Sequence, residues 1–421
     1  MLLRKTALVA SLFTATLGAA CAPSESAVSS QCLTGVYGAV GDFVMITEGS
    51  KGPRYGFSDG RAGTVSEDAS IVCLGEDGVE VEGTVLAKLP VRVTPSQFES
   101  KGITLAGQLL EPDGAGPDTP LVVFAHGSED IGWINSARDP YQMVGRGVSA
   151  FVYDKRGTGQ SEGEYSQNFP ELAEDLVAAS QTAKTLAEGR FGRFGIVGLS
   201  QGGWIAPLAA ERANADFLFI GYGLVADILE EDAAQVQLEM QEGGYDDAAR
   251  VKAKKLTDVT ARLAVSDYKD GLEDLDRLRD TFKDEPWFGQ IKGGFSGVIL
   301  AMSTEELRSK GIPMFDRLNI DWSLVPIDVM RQVDVPQFWA LAGQDREAPT
   351  QTTLGRLLTL RREGKDISIR VFPDADHGMW EFEQAGNGSR TYTKVTNGFH
   401  DLMADWAKGD LKPAYGASTT R

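Results

Sequence analysis

Gly198-Leu199-Ser200-Gln201-Gly202 sets a serine in G-x-S-x-G spacing, after the apolar run Ile196, Val197 and Leu199 and before a helix-like segment ending near Ala210. A strand that turns directly into a helix holds its corner residue in a strained conformation. Only small residues two positions away on either side let the neighbouring chains approach that closely. Such a nucleophile elbow lifts the hydroxyl clear of a sheet and aims it at a helix start, where free N–H groups favour negative charge. The chemistry open to it is attack on an acyl carbonyl; an ordinary glycine-rich loop is the alternative. A serine hydroxyl is a poor nucleophile at neutral pH. It needs a base in hydrogen-bond reach, a carboxylate to orient that base, and N–H donors for the oxyanion.

The chain has three histidines, His126, His377 and His400. His377, in Phe372-Pro373-Asp374-Ala375-Asp376-His377-Gly378, is the candidate base, because it leaves the last apolar strand pattern. Asp345 leaves the preceding pattern, PQFWALA, and is the candidate acid. Asp374 and Asp376 compete by proximity, but neighbours on one tight turn rarely reach the far ring nitrogen, so they read as loop-shaping residues. Glu347 is a further rival. The oxyanion donors are the N–H of Gln201, just after the serine, and that of Ser128 in His126-Gly127-Ser128, after the run 121–125. His126 then orients its loop, and His400 is a surface or packing residue. No Cys/His spacing suits zinc, and no metal or organic cofactor is implied.

These residues need strands to carry them. From residue 91 onward, apolar strand patterns (91–93, 103–110, 121–125, 148–153, 194–199, 216–221, 336–342 and 367–372) alternate with helical periodicity at 170–186 and 354–361. That alternation gives an α/β class with a mostly parallel sheet flanked by helices. A C-terminal helix is expected over 392–406. Residues 35–90 are rich in glycine and β-branched residues and read as a small N-terminal β module, with strands at 43–46, 71–74 and 79–81. Residues 224–333 are charged and helical in period, with helices expected at 227–240, 246–265 and 271–282. An insertion of that size between strands would lie over their carboxyl ends as a cap. Its apolar residues Phe295, Ile299, Met302, Met314, Phe315 and Trp322, and above all Trp287 and Phe288, are candidates to wall a substrate pocket. Packing of the cap is their alternative role. The core then occupies 91–223 and 334–411, with a tail at 412–421.

Residues 1–22 carry a basic start, a short apolar run and the small-residue stretch Gly18-Ala19-Ala20-Cys21-Ala22, the pattern of an export signal, with a polar linker at 23–34. Cleavage after Ala20 or Ala22 competes with lipidation of Cys21, which would tether the protein to a membrane. Gly18 stands where a lipobox leucine is usual. Cys32 and Cys73 then pair as one disulfide in an oxidising compartment or remain two buried thiols. The net charge of −19 disfavours nucleic acid and anionic membrane as partners.

Ala125-His126-Gly127-Ser128, the segment Tyr153-Asp154-Lys155-Arg156-Gly157-Thr158-Gly159-Gln160-Ser161, the elbow GLSQGG, then AGQD and DADHG, stand in one order along 103–406. Together they resemble the α/β-hydrolase superfamily, nearest the exported bacterial serine esterases related to dienelactone-hydrolase-like and prolyl-oligopeptidase-like enzymes. The resemblance implies the α/β-hydrolase fold and a triad in the order Ser200, Asp345, His377. It implies bracing roles for Asp154, Arg156 and Gly157. The expected activity is cleavage of a small carboxylic ester through an acyl-enzyme. A peptidase, lacking the β-propeller of prolyl oligopeptidases, and a non-catalytic envelope binding protein are the alternatives. Glu129 and Asp130 depart from the small residues usual after the HG pair, and would repel a negatively charged acyl group if they face the site.

Overall fold

The computed structural model describes residues 32–386 and 388–421; the expected signal at 1–22, Cys21 and linker residues 23–31 lie outside them. Among the described residues, the strands of the N-terminal module are β1 (Gly35–Ala39), β2 (Asp42–Thr47), β3 (Arg54–Phe57) and β4 (Ala62–Thr64) in one antiparallel sheet. β5 (Ile71–Cys73), β6 (Val79–Val81) and β7 (Thr84–Leu86) form a second. The short strands β1, β3, β4 and β7 had no distinct apolar run to announce them. Cys32 and Cys73 are disulfide-bonded. Phe43 and Met45 pack on Leu110, Tyr141 and Val144, which joins the module to the rest of the chain.

The main sheet comprises β8 (Val91–Ser100), β9 (Ile103–Pro112), β10 (Leu121–Ala125), β11 (Ser149–Tyr153), β12 (Phe194–Leu199), β13 (Phe217–Gly221), β14 (Gln337–Ala342), β15 (Ile367–Phe372) and β19 (Thr419–Thr420). Its order is β19-β15-β14-β13-β12-β10-β11-β9-β8. The strands from β10 to β15 pair in parallel, and antiparallel partners lie at either edge. β10 through β14 are buried along their whole length, which is why they read as unbroken apolar runs rather than alternating ones. Successive residues still face opposite ways. Leu121, Val123 and Ala125 join one core with α2 (Phe169–Leu186) and α3 (Gly202–Ala209). Val122 and Phe124 join the other, with α1 (Arg138–Val144) and α12 (Phe399–Lys408).

Between β13 and β14 lies the helical insertion: α4 (Ile228–Glu242), α5 (Asp247–Val265), α6 (Leu272–Phe282), α7 (Ser296–Ala301), α8 (Thr304–Glu306), α9 (Ile312–Leu318) and α10 (Pro326–Gln332). It has a core of its own, with Val236, Leu256, Leu263, Trp287 and Ile299 buried in it. α4 starts on an Asp227–Glu230 capping box, and Glu230 pairs with Arg356 of α11 (Thr350–Arg362) at 2.6 Å, tying cap to core.

Two expectations need correction. The helix expected over 392–406 begins only at Phe399, and Arg390–Val395 is a strand, β18, paired with β17 (Trp380–Gln384) and, through it, β16 (Ala375–Asp376). The aromatic and β-branched run Tyr392-Thr393-Lys394-Val395 suits a strand, and Gly398 at φ 85° starts the helix after it. The tail is also partly ordered into the sheet, since β19 pairs with β15. None of the described helices is long and apolar enough to cross a membrane.

Candidate active site

Ser200 has φ 52°, a left-handed conformation for a residue with a Cβ. Its N–H donates to the carbonyl of Gly221, at the end of β13, at 3.0 Å. The flanking glycines are required by backbone: a Cβ on Gly198 would stand 2.4 Å from the carbonyl oxygen of Gly202. One on Gly202 would stand 2.2 Å from that of Ala125. The elbow therefore wedges against the end of β10.

That placement follows from the strand order. β11 lies on one side of β10 and β12 on the other, so the loops leaving β10 and β12 diverge and open a crevice at their carboxyl ends. The loops leaving β14 and β15 reach the same rim, and they carry Asp345 and His377. His377 Nε2 lies 2.9 Å from Ser200 Oγ. Its Nδ1 lies 3.0 and 3.1 Å from the two carboxylate oxygens of Asp345. The backbone N–H groups of Glu347 and Ala348 donate to Asp345 Oδ1 at 3.0 and 2.7 Å, which fixes the carboxylate. Burial alone would lower the pKa of His377, but Asp345, with Glu347 and Glu231, raises it to about 9. The ring of Tyr222 meets the imidazole edge-on at 5.0 Å.

The rival acids do other work. Asp376 accepts from the backbone N–H of His377 at 2.8 Å and of Arg346 at 3.0 Å, and pairs with Arg390 at 2.6 Å. It shapes the loop and ties it to β18. Asp374 is exposed. Glu347 does approach the imidazole, but at Nε2, the side facing Ser200, at 3.5 Å.

On the opposite wall, a Cβ on Gly127 would stand 3.5 Å from Ser200 Cβ, which brings the His126-Gly127-Ser128 loop beside the serine. Lys155 is buried and donates to the Gly127 carbonyl at 2.9 Å. Burial lowers its pKa to about 8. The Tyr165 hydroxyl donates to the Ser128 carbonyl. His126 lies behind the loop, between Trp133 at 4.7 Å and Tyr153 at 5.2 Å. Burial and the Lys155 charge hold it neutral, and the nearby backbone of Tyr153 and Gly127 falls outside hydrogen-bond geometry with its ring nitrogens. Glu129 is half-buried, with Oε1 3.8 Å from His126 Nδ1, whereas Asp130 is exposed. Bracing is visible one layer back. Asp154 accepts from the N–H groups of Ile134 and Gln160 at 3.0 and 2.8 Å. Arg156 makes two bonds of 2.7 Å to Asp175, and Gly157 has φ 70° where a Cβ would meet the backbone of Tyr165.

A cavity of about 410 Å³ opens beside the serine, with Ser128, Ser200 and Gln201 in its lining. Phe295, Phe315 and Trp322 from the insertion line it, as do Phe169 and Trp204 from the core. Trp287 and Phe288 do not. Trp287 is buried against Phe282 at 5.6 Å, and Phe288 packs on Trp287 at 6.3 Å. An insertion with its own core draws its largest side chains inward. Ile299, Met302 and Met314 pack in that core as well. His400 is not a surface residue: it is buried in α12, with Nε2 2.8 Å from Asp139 Oδ1 of α1. Sequence reasoning missed Lys155 as the loop's anchor, Tyr222, and Glu231, which lines the cavity from the first turns of α4. Lys155 lay inside the DKRG segment already singled out; nothing in the sequence marked the other two. Among the described residues no group of His, Cys, Asp and Glu is arranged to hold a metal ion.

Residues 122–386 match the Alpha/beta hydrolase family, well over half of the chain. The chain belongs to that family. Similar solved structures include an esterase of Pyrococcus furiosus, PF2001, at 14% identity and TM-score 0.42, covering 68% of this chain and 84% of that one. An acylaminoacyl peptidase of Pyrococcus horikoshii is also similar, at 14% identity and TM-score 0.43, covering 81% of this chain and 45% of that one. So is the alpha/beta hydrolase GrgF from Penicillium sp. sh18, at 17% identity and TM-score 0.41, covering 68% and 91%. A comparison with curated proteins finds no match.

In this alpha/beta hydrolase the approach of Gly202 to β10 leaves no room for a methyl group. Gly202→Ala is expected to destabilise the fold by about 1–3 kcal/mol through overpacking, read from urea unfolding. Unchanged stability would show that the elbow relaxes freely.

Proposed function

We propose that the protein is an exported serine hydrolase that cleaves carboxylic esters through an acyl-enzyme. The observation that carries this reading is the unbroken chain of contacts from Ser200 Oγ through both nitrogens of His377 to Asp345, at 2.9, 3.0 and 3.1 Å. His377 Nε2 takes the Ser200 proton as Oγ bonds to the acyl carbon and the carbonyl electron pair moves onto oxygen. Collapse breaks the bond to the alkoxide, which leaves with the proton from His377. Water, deprotonated by the same nitrogen, then attacks the acyl group, and the acid departs with Ser200 restored. Asp345 holds the tautomer with the proton on Nδ1 and stabilises the imidazolium.

The oxyanion goes to the N–H groups of Gln201 and Ser128. Support for the second comes from Lys155. Carbonyl and N–H point oppositely across a trans peptide, so the Lys155 bond to the Gly127 carbonyl turns the Ser128 N–H away from Lys155. Esters come before amides because an alkoxide needs less help to leave than an amine. Export is supported by the pattern of residues 1–22 and by the Cys32–Cys73 bond, which persists in an oxidising compartment.

A fluorophosphonate probe is expected to label the wild type and not Ser200→Ala, and a panel of aryl esters beside aminoacyl and peptidyl anilides is expected to show ester turnover above anilide turnover. Labelling that persists in Ser200→Ala overturns the reading; faster anilide cleavage makes the protein a peptidase. The base must be neutral to act, and Asp345 and its neighbours hold His377 protonated to about pH 9. kcat/KM is therefore expected to rise with pH through an inflection well above the ordinary imidazole value of about 6.5. An inflection at or below that value would show that Asp345, Glu347 and Glu231 do not raise His377.

A further inference from the structure

The cavity beside Ser200 has an uneven charge. Glu231 and Glu347 both line it, and among its described lining residues there is no lysine or arginine. The neighbours of Glu231 on α4 are occupied elsewhere. Glu230 pairs with Arg356, and Asp232 accepts from the N–H groups of Phe295 and Ser296, at 2.9 Å each. Those two anchors fix the first turns of α4, while the Glu231 carboxylate between them has no donor among the described residues. Glu347 meets only the imidazole of His377, and its side chain is 68% exposed. Gln201, also in the lining, is 3% exposed and its Oε1 is buried with no donor. The lining thus carries two carboxyl groups and, among its described residues, no cation to pair with them. The aromatic residues Phe169, Trp204, Phe295, Phe315 and Trp322 complete the wall. Aromatic faces attract a cation, most strongly when it is desolvated.

Resting on the esterase reading above, we propose that the preferred ester carries an ammonium group, seated in the cavity between the Glu231 and Glu347 carboxylates. The ammonium donates hydrogen bonds to the two carboxyl groups and supplies the counter-charge that the pair lacks. A carboxylate at the same place on the substrate meets like charge and is disfavoured. Burial first, then Asp345, Asp232 and Glu347, raise Glu231 to about 8, against the lowering effect of His377. A bound ammonium favours its ionised form. The chain's charge of −19 adds a long-range field of the same sign.

Two series of esters test this. In the first, para-nitrophenyl esters carry acyl chains of increasing length that end in an ammonium, a methyl or a carboxylate group. In the second, acetate esters carry the same three ends on the alcohol. In one series the ammonium ester is expected to exceed its methyl counterpart in kcat/KM by about tenfold or more, with the carboxylate ester lowest, and added salt is expected to shrink the gap. In Glu231→Gln and Glu347→Gln the ratio of ammonium to methyl is expected to fall toward one. It is read within each variant, so a general loss of activity cancels. If methyl esters are turned over and the wild-type ratio is one or below at every length in both series, the charge preference is overturned and the esterase stands. If no ester in either series is cleaved and the fluorophosphonate leaves Ser200 unlabelled, both fall together.

Discussion

Two backbone oxygens set the geometry around Ser200. The carbonyl oxygen of Gly202 stands 2.4 Å from where a Cβ of Gly198 would be, and that of Ala125 stands 2.2 Å from where a Cβ of Gly202 would be. With no side chain at either place, β12 can turn into α3 directly against the end of β10. Ser200 is then left in a left-handed conformation, whose cost of about 1–3 kcal/mol is carried by the surrounding sheet. From that corner the hydroxyl faces the rim where the loops of β10, β14 and β15 converge. Loosen the corner, and the distance of 2.9 Å to His377 is no longer imposed by the fold.

The rim is held from several directions. Asp345 is fixed by two backbone N–H groups and in turn fixes the imidazole. Asp376, one residue before His377, ties the histidine loop to Arg390 of β18, and β18 meets the N-terminal module through the bridge between Lys394 and Arg61. The module is therefore in contact with the hairpin that follows the histidine. The opposite wall hangs on Lys155, a buried cation whose donor meets the Gly127 carbonyl. The insertion closes the site from above, and it contributes both aromatic residues and Glu231 to the lining.

What the sequence made legible was whatever local chemistry forces. The buried parallel strands show as unbroken apolar runs, and the elbow shows because sterics admit only glycine at its flanks. His377 and Asp345 were found because each follows a strand pattern, and the topology takes such positions to one rim. Residues 392–395 carry a helical reading in the sequence because their partner, Trp380–Gln384, is what makes them part of a strand, and pairing is not visible in either segment alone. Trp287 is a pocket candidate by its type, whereas the choice between cavity wall and cap core depends on how the insertion folds upon itself. Glu231 was invisible for a related reason. In sequence it is one acid among Glu230, Glu231 and Asp232, and only the structure shows that its two neighbours are anchored and it is not.

The central claim is that Ser200 becomes acylated during turnover. Its most direct measurement is mass spectrometry of enzyme quenched in acid while it turns over a para-nitrophenyl ester, with the modified peptide then sequenced. The expected result is one acyl group per chain, on Ser200, that accumulates in a burst and decays as substrate is exhausted. Turnover at the same rate with no acyl group on Ser200, or with the group on another residue, would contradict it.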